Sequence, residues 1–525
     1  MIPLKQFENI QVFQVFIAAL AILIVKLCYS AHVRRKYWPP GPPGLPIFGN
    51  VFQLSQFQWF RFTEWKETYG SVFSLNLAGQ PAVIINTHQA AVDLLNRRAD
   101  IYSDRPRLIV SGEHLTGGIF IAFTNYGKQW LKLRRAAQEF LNVRVSKTYQ
   151  PLQEFEATCL VSDMLQKPHE WDKHLLRSTT STVLSSIYGL SQADSRDDSL
   201  VTQFDEFSHR IIKSAIPGAH LVELFPFLNL LPPWIAKWKR EALAWHAQTT
   251  EKLCELLGDV RERMDDESSK SCFCSLVLEN NERHGLTSKE TAWLAGTLLG
   301  AGSETTAASL SVFVLAMCLY PDVMRKAQTQ IDQVIGRDRL PTFADFDNLH
   351  YIRAIVKEVL RWRPIAPIAF PRSTNKDDWY SGYFIPKGTL VLVNVWAMNR
   401  DPEIFPDFEE FRPERFLDES ETVDVAPPNT LSLGHVSYGF GKRICVGMNL
   451  ANQALFIDIA CLLWAFNIEK AYDENGQVII PSRTEMIDSG IVVRPVPFKC
   501  AIKPRRPNVS AVIDKASGTV EALEA

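Results

Sequence analysis

A glycine-rich loop carries the residue with the clearest chemical potential in this chain. Cys445 lies in Tyr438-Gly439-Phe440-Gly441-Lys442-Arg443-Ile444-Cys445-Val446-Gly447, and a helical pattern starts at Met448. Glycines permit a tight loop that passes close to a flat ligand. The dipole and free N–H groups of a helix N-terminus stabilise a thiolate. The loop predicts an anionic sulfur ligand, and a buried free cysteine in a glycine-rich turn is the alternative.

A second candidate site lies at the centre of a long predicted helix. Residues 287–290 form a Thr-x-x-Glu capping box, and the chain then runs without proline as far as Pro321. The helix is apolar nearly all round, which predicts burial. Its polar residues cluster at 303–306, beside Gly300 and Gly302. Such locally costly residues often mark a functional site, and a close helix crossing over glycine is the alternative.

The elements that must position these residues form one large body. Alternating apolar residues at 72–77 and 82–85, split by Gly79-Gln80-Pro81, predict a β-hairpin. The pattern from about 87 to 365 is mostly helical, and a short-strand region follows at 382–395. Loops are predicted at 103–120, 189–199 and 216–233. The fold class is therefore mainly α (α+β): a large helical domain with small β-sheets.

The N-terminus predicts a membrane anchor. Residues 10–29 are apolar except for Gln11, Gln14 and Lys26, and about 20 helical residues span a bilayer. A basic cluster at 32–36 should hold the body on the cytoplasmic side. A cleavable signal peptide is the alternative, although the basic residues lie on the wrong side for it. The expected organisation is a lumenal N-terminus at 1–9, a transmembrane anchor at 10–30, a basic and Pro-rich hinge at 31–50, a catalytic domain at 51–505 and a flexible tail at 506–525.

Composition narrows the class of protein. The formal net charge of -2 over 525 residues gives no electrostatic reason to expect a nucleic-acid partner. The nine cysteines are scattered without a repeated spacing, so a disulfide framework is not expected. Cys272 and Cys274 lie in a polar stretch and are predicted to be exposed free thiols. This usage fits a reducing compartment.

The loop around Cys445 resembles the haem-binding loop of the cytochrome P450 family, whose pattern is Phe-x-x-Gly-x-Arg-x-Cys-x-Gly. Tyr438 replaces the first Phe, and the other fixed positions match. Further short motifs that resemble family signatures occur in the family's order. They are the Pro-rich hinge at 39–46, Trp130-x-x-x-Arg134, the oxygen-activation motif at 301–306, Glu358-x-x-Arg361, Pro371-Arg372 and Pro413-Glu414-Arg415-Phe416. The resemblance covers about residues 39–495.

The resemblance implies haem b with Cys445 as its axial metal ligand. The implied cofactor contacts are Trp130, Arg134, Arg372, Arg443, Tyr438 and Gly439, with the arginines placed for the two haem propionates. A surface position is the alternative for each arginine. The resemblance also implies a structural ion network of Glu358, Arg361 and Arg415 under the loop. Breaking this network should destabilise the fold and release haem.

The resemblance also implies roles for the polar centre of the long helix. Thr305 would orient oxygen and deliver protons, Glu304 would connect to bulk water, and Gly302 would leave room for oxygen beside the haem. A lipophilic substrate is expected from the apolar pocket residues that the family's substrate-contacting stretches supply here, several of which could instead be plain core. They are Ile109, Val110, Phe120, Phe123, Ala301, Ile365, Ile368, Ala369 and Ile491, with Ile121 beside them.

The implied activity is a monooxygenase that inserts one oxygen atom of O2 into a lipophilic small molecule. The residue sequence of the loop is similar to that of fungal enzymes of secondary metabolism. This similarity favours a terpenoid, polyketide or alkaloid as the substrate. Electrons would come from NADPH through a separate cytochrome P450 reductase in the endoplasmic-reticulum membrane, with cytochrome b5 as a second electron donor. Lys442 could help to dock the reductase. The alternatives are a reductase-independent haem-thiolate isomerase or dehydratase and a non-enzymatic haem binder.

Overall fold

The computed structural model describes residues 37–190, 195, 198–216, 218–264, 271–427, 430, 432–490 and 492–524. Long helices dominate this part of the chain. They are α1 Gln58–Tyr69, α2 Lys128–Phe140, α3 Gln150–Gln166, α4 Trp171–Tyr188, α5 Asp198–Ala215, α6 Lys237–Arg263, α7 Phe273–Glu279, α8 Ser288–Leu319, α9 Pro321–Val334, α10 His350–Trp362, α11 Met448–Ala465 and α12 Val509–Glu524.

Shorter helical segments fill the connections between the long helices. The α-helical turns are His88–Ala91, Ala99–Tyr102, Val143–Ser146, Leu221–Leu224, Asn281–His284 and Val395–Met398. The 3-10 turns are Val51–Gln53, Lys147–Tyr149, Pro168–Glu170, Pro226–Leu230, Phe343–Asn348, Pro413–Phe416 and Gly441–Arg443. Two π-helical segments, Val92–Arg97 and Ile109–Leu115, complete the set. The predicted loops at 103–120 and 216–233 thus contain short helical segments.

Four small sheets flank the helices in the described residues. The strands are β1 Val72–Leu77, β2 Gln80–Ile85, β3 Arg372–Ser373, β4 Asp378–Tyr380, β5 Tyr383–Ile385, β6 Leu390–Val393, β7 Phe466–Lys470, β8 Met486–Asp488, β9 Val493–Pro495 and β10 Cys500–Pro504. The largest sheet has the order β1-β2-β6-β3, with β2 parallel to β6 and the other neighbours antiparallel. The predicted fold class, mainly helical with small sheets, is confirmed.

The predicted β-hairpin forms, with its turn one residue earlier than expected. Ala78 and Gly79 both have positive φ, +52° and +95°. Two such residues make the tight turn that suits the twist of a hairpin. Asn76 also accepts a hydrogen bond from the Gly79 N–H (2.7 Å). Gln80 and Pro81 therefore belong to β2 rather than to the turn.

The long helix α8 begins as the sequence predicts. The Thr287 hydroxyl accepts from the Glu290 N–H (3.2 Å), and the Glu290 carboxylate accepts from the Thr287 N–H (2.7 Å). Tyr320 closes the helix, and Pro321 starts α9. Phe313 on α8, Trp362 on α10 and Trp464 on α11 are fully buried, so these helices share one core.

Two of the described helices, α8 and α11, are long and apolar enough to cross a membrane. Their most apolar windows are 78% and 67% buried inside the protein, so both serve as core helices. The predicted anchor at 10–30 lies outside the described residues.

The second half of the predicted hinge is held against the body, because the carbonyls of Pro39 and Pro40 accept hydrogen bonds from Ser74 on β1 (2.6 and 2.7 Å). Two other predictions about the periphery are wrong, and the first is the exposure of two cysteines. Cys272 and Cys274 are buried at 2% and 0% exposure, since the Cys272 sulfur caps α7 and its chain enters the core.

The predicted flexible tail at 506–525 instead contains α12. Val509 and Ile513 are each 1% exposed and join the main core, with Val512 and Ala516 packed beside them. These four positions have the i, i+3, i+4, i+7 spacing of one helical face. The polar composition of the tail hid this stripe.

Candidate active site

The loop before α11 places Cys445 by backbone geometry. Gly439 and Gly441 have φ of +77° and +57°. A Cβ at Gly441 would collide with the Leu95 carbonyl oxygen, so only glycine fits there. The Cys445 N–H donates to the Tyr438 carbonyl (2.9 Å), which closes the loop. A Cβ at Gly439 would meet nothing within 4 Å, so its face of the loop is open to a flat group.

The Cys445 sulfur occupies a concavity that solvent can enter but protein surrounds. Burial raises the pKa of its thiol, whereas hydrogen bonds from the backbone of Gly447 and Met448 and the charge of Arg134 lower it. These donors lie at the N-terminus of α11, where the helix dipole also favours an anion. The thiolate therefore has the helix-terminus support that the sequence predicts, although burial opposes it until a cation binds the sulfur.

Tyr438, the departure from the family pattern, has a partner for its hydroxyl. The hydroxyl donates to Asn452 Oδ1 on α11 (2.8 Å), and the ring lies 5.5 Å from that of His435. Burial raises the pKa of Tyr438, so its hydroxyl stays protonated. The substitution is accommodated without an unsatisfied polar group.

Four arginines converge beside the loop: Arg105, Arg134, Arg372 and Arg443. Burial lowers the pKa of all four, to about 10 for Arg372 and about 9 for Arg443. The charges of Arg443 and Arg372 further lower the pKa of Arg105. Like charges held this close disfavour one another.

No member of this arginine cluster forms a salt bridge among the described residues, although the Asp104 carboxylate lies nearby. Arg372 Nη1 and Arg134 Nε are buried without any hydrogen-bond partner. Buried cations with unused donors fit a ligand that carries anionic groups. The donors, the open glycine face and the thiol together fit haem with its two propionates.

Arg443 and Trp130 lie against each other beside the cysteine loop. The Arg443 guanidinium lies 4.4 Å from the Trp130 ring centroid and donates to the carbonyls of Ser103 (2.9 Å), Ile121 (3.4 Å) and Thr124 (2.7 Å). Arg443 thereby ties the 103–124 segment to the cysteine loop. A guanidinium has five N–H donors, so these three bonds leave two of them unused, and the contact of Arg443 with a propionate stays a prediction.

Arg105 was missed by the sequence reasoning. It donates to the carbonyls of Phe370 and Pro371 (2.9 and 2.7 Å), and its Nε has no partner. It stands in a stretch predicted to be an irregular loop, where the direction of a side chain cannot be deduced. The available signal in the sequence was a basic residue directly before Pro106.

The polar centre of α8 divides between two faces. Thr305 Oγ1 donates to the Ala301 carbonyl (2.6 Å), and Ala301, one helical turn earlier, is exposed. Glu304 Oε1 accepts a hydrogen bond from Ser489 (3.4 Å). Gly302 faces elsewhere, because a Cβ there would meet Val183 of α4 at 3.0 Å. The prediction that Gly302 leaves room for oxygen is therefore wrong, and its role is a close helix crossing.

The predicted structural network forms beneath the loop. Arg361 and Glu358 are both 0% exposed and share two hydrogen bonds (2.6 and 2.8 Å). Arg415 Nε reaches the same carboxylate at 3.2 Å. Arg361 also donates to the Asn399 carbonyl (2.9 Å), and Asn399 Nδ2 donates to Ser437 (3.0 Å), next to Tyr438. Asn399 thus links the ion network to the cysteine loop.

The predicted pocket residues separate into two groups. Phe120 and Phe123 pack together (4.9 Å between ring centroids), and Phe123 lies 6.3 Å from Phe370, which was not predicted. Ile109 and Val110 instead pack into a buried cluster with Leu115 and Val222. For these two residues the plain-core alternative holds.

Three further pocket candidates, Ile365, Ile368 and Ala369, lie on the chain segment that leads into β3. Ala369 donates through its N–H to the Val393 carbonyl (3.1 Å), and the Ile365 carbonyl accepts from Val493 (2.7 Å). Ile368 contacts two small apolar clusters, and Ile121 packs with the α2 core. Ile491 lies outside the described residues.

The site combines a cysteine on a glycine-rich loop, buried arginines with unused donors and a group of polar residues in the middle of the central helix. These features define a haem-thiolate oxidoreductase. The cytochrome P450 family model matches residues 39–501, and the chain belongs to the cytochrome P450 family. It is 55% identical over 498 residues to cytochrome P450 monooxygenase 58 of Postia placenta, with 94% of each chain covered. It is also 44% identical over 500 residues to a cytochrome P450 monooxygenase of Armillaria gallica, covering 94% and 96%. Its activity is that of a haem-thiolate monooxygenase.

Proposed function

We propose that the chain oxidises a lipophilic secondary metabolite, with Cys445 as axial ligand and Thr305 as the group that handles protons. The observation that carries this proposal is the Cys445 thiol beside the unpaired donors of Arg134 and Arg372. Haem held there supplies the iron for oxygen activation, and thiolate ligation favours O–O cleavage.

Thr305 and Glu304 supply the polar groups of the distal side. The Thr305 hydroxyl donates to a carbonyl one helical turn earlier, so its oxygen lone pairs are free to accept a second hydrogen bond. Glu304 is half-buried and contacts Ser489. A carboxylate in this position can exchange protons with water and pass them towards Thr305.

The substrate is proposed to be uncharged and rich in hydrocarbon. Phe120, Phe123 and Phe370 form a continuous aromatic surface, and Phe120 and Phe123 belong to the predicted cavity wall. Apolar pocket walls with few polar groups select lipophilic ligands. A terpenoid is the first choice, and a polyketide or an alkaloid is the alternative.

Electrons are proposed to come from NADPH through a separate reductase, with cytochrome b5 as a possible second donor. A concavity of about 680 Å³ on the haem-loop side contains Arg134, Arg135, Arg283 and Lys442 against the single acid Glu139. This positive excess suits an acidic redox partner. Arg283 pairs with Glu139 (2.9 Å) and Lys442 pairs with Asp100, so Arg135 is the stronger candidate contact.

The location is proposed to be the endoplasmic-reticulum membrane, with one anchor at 10–30 and a cytosolic body. An exposed apolar stretch supports contact with lipid: Leu221, Phe227, Leu230 and Trp234 are 67%, 66%, 86% and 76% exposed. Exposed apolar side chains concentrated in one segment mark a membrane or protein contact.

The test is the absorption spectrum of the reduced, carbon-monoxide-bound protein. Wild type should show the strongly red-shifted Soret band of thiolate-ligated haem, and Cys445→Ala should lose it. Cys254→Ala, at a partly buried free cysteine, is the matched control and should keep it. An imidazole-type band in wild type would overturn the ligand assignment. Turnover should then be measured with NADPH, reductase and a panel of terpenoids.

A further inference from the structure

Two free cysteines outside the haem site meet where the central helix ends against the last sheet. Cys318 lies one residue before the end of α8, and Cys500 is the first residue of β10. They are 500 − 318 = 182 positions apart in the chain. Cys318 belongs to the main buried core, and Cys500 packs against the same core. The fold therefore brings together two thiols that no local pattern in the sequence pairs.

The strand register places the two sulfurs side by side. The Cys318 sulfur donates to the Glu469 carbonyl on β7 (3.7 Å). Lys470, the next residue of β7, is the antiparallel partner of Cys500. Directly opposed residues of an antiparallel pair have their Cα atoms about 4.5–5.5 Å apart. The Cys318 side chain accordingly forms a hydrogen bond with the Cys500 side chain.

The two thiols differ in their access to solvent. Cys318 is 3% exposed, whereas Cys500 is partly exposed at the start of β10. The hydrogen bond with Cys500 and burial raise the pKa of Cys318, so its sulfur stays protonated. Lys470 shares a face with Cys500, because opposed residues project to the same side of a sheet. A cation beside a partly exposed cysteine favours the thiolate that reacts with oxidants.

We propose that Cys318 and Cys500 are a site of reversible oxidative modification, which a hydroperoxide converts into a disulfide between α8 and β10. The Cys500 thiolate attacks a peroxide oxygen, the O–O bond breaks, and Cys500 sulfenic acid and hydroxide form. The hydroxide takes up the proton that Cys500 released. The Cys318 sulfur then attacks the sulfenic sulfur, the S–O bond breaks, and its proton leaves with the hydroxyl as water. With hydrogen peroxide, the two thiols lose two electrons and the peroxide becomes two molecules of water.

The disulfide joins the end of α8 to the C-terminal sheet across 182 positions of the chain. A cross-link over so long a loop removes entropy from the unfolded chain and thereby stabilises the fold. Thiols reduce a disulfide by exchange, so the modification is reversible. The oxidised enzyme should therefore resist unfolding more than the reduced enzyme.

The test is peptide mapping of the full-length holoenzyme after treatment with hydrogen peroxide and blocking of the remaining thiols. Trypsin separates the two cysteines, because Cys318 falls in the peptide 290–325 and Cys500 in the peptide 500–505. Wild type should yield these two peptides as a linked pair, lighter than their sum by two hydrogen atoms and released by dithiothreitol. Cys159→Ala, at a partly exposed free cysteine on α3, is the matched control and should yield the same pair.

Cys318→Ala should leave Cys500 as a sulfenic acid that dimedone labels, because the second thiol is absent. In this variant the urea midpoint of unfolding should be the same before and after peroxide, whereas the midpoint of wild type should rise. The proposal fails if peroxide-treated wild type yields no linked pair, or if Cys159→Ala abolishes the pair. It also fails if Cys318→Ala gives no dimedone adduct at Cys500, or if oxidation leaves the urea midpoint of wild type unchanged.

Discussion

Replacing Arg361 with alanine tests how the cysteine loop is supported. The guanidinium makes two bonds to Glu358, one to the Asn399 carbonyl (2.9 Å) and one to the Phe408 carbonyl (3.0 Å), all at zero exposure of its own side chain. The change leaves the Glu358 carboxylate buried, with Arg415 at 3.2 Å as its remaining cation. Removing one partner of a buried pair costs about 3–5 kcal/mol.

That loss is large beside the total stability of a protein, which is typically about 5–15 kcal/mol. We expect Arg361→Ala to lower the urea midpoint of unfolding and to lose haem at the same time, because Asn399 connects the network to the loop. Unfolding is measured by tryptophan fluorescence, and haem retention by the Soret band in the same titration.

Arg61→Ala is the matched control, because Arg61 and Glu64 form the same kind of i, i+3 pair at 2.8 Å. Their side chains are 48% and 63% exposed, so this pair is worth about 0–1 kcal/mol. If Arg361→Ala unfolds at the same urea concentration as Arg61→Ala and keeps its haem, then burial does not set the strength of the network and the reasoning is refuted.

Thr305→Ala should keep haem and thermal stability, but its NADPH-derived electrons should reduce oxygen to hydrogen peroxide instead of forming product. Thr305→Ser should restore product formation. If the alanine variant still couples NADPH consumption tightly to product formation, Thr305 does not handle protons. Arg105→Gln should speed haem dissociation about 10-fold or more, the loss of one charged hydrogen bond. The apoprotein should lose little stability, because removing the repulsion from Arg443 and Arg372 offsets the lost hydrogen bonds to the Phe370 and Pro371 carbonyls. An unchanged rate of haem loss would contradict this prediction. Burial lowers the pKa of His435 to about 3. In the unfolded chain the imidazole binds a proton below about pH 6.5, whereas in the folded protein it stays neutral down to about pH 3. The free energy of unfolding should therefore decrease as the pH is lowered from about 6.5 to 3, by up to about 1.4 kcal/mol per pH unit. His435→Asn should flatten this dependence in urea titrations.

The sequence predicted those parts of the site that depend on local pattern. The capping box of α8, the start of α11 and the loop at Cys445 are each specified within a few residues, so they were predicted correctly. The pairing of Glu358 with Arg361 is also local, since i, i+3 residues share one helical face. The addition of Arg415 came from resemblance, because the two segments meet only in the tertiary fold.

The failures depend on direction rather than position. Gly302 follows Ala301 in the same motif, but successive helical residues point about 100° apart. Ala301 is therefore exposed, whereas Gly302 faces Val183. The hydrogen bonds of Arg443 to carbonyls of a segment more than three hundred residues earlier were also not foreseen. No local pattern encodes such a contact. Arg105 and Phe370 were missed for the same reason.

The pairing of β2 with β6 has a consequence for the synthesis of the chain. Ala82 pairs with Leu390, so the two strands are 390 − 82 = 308 residues apart. A ribosome adding about 5–20 residues per second needs about 15–60 s to cover that interval. Throughout this time the β1–β2 hairpin presents an apolar open edge that its own partner has not yet covered. During synthesis this edge is open to pairing with other chains. Substitutions that make the exposed edge of β2 more apolar should therefore lower the yield of folded protein without altering the finished enzyme.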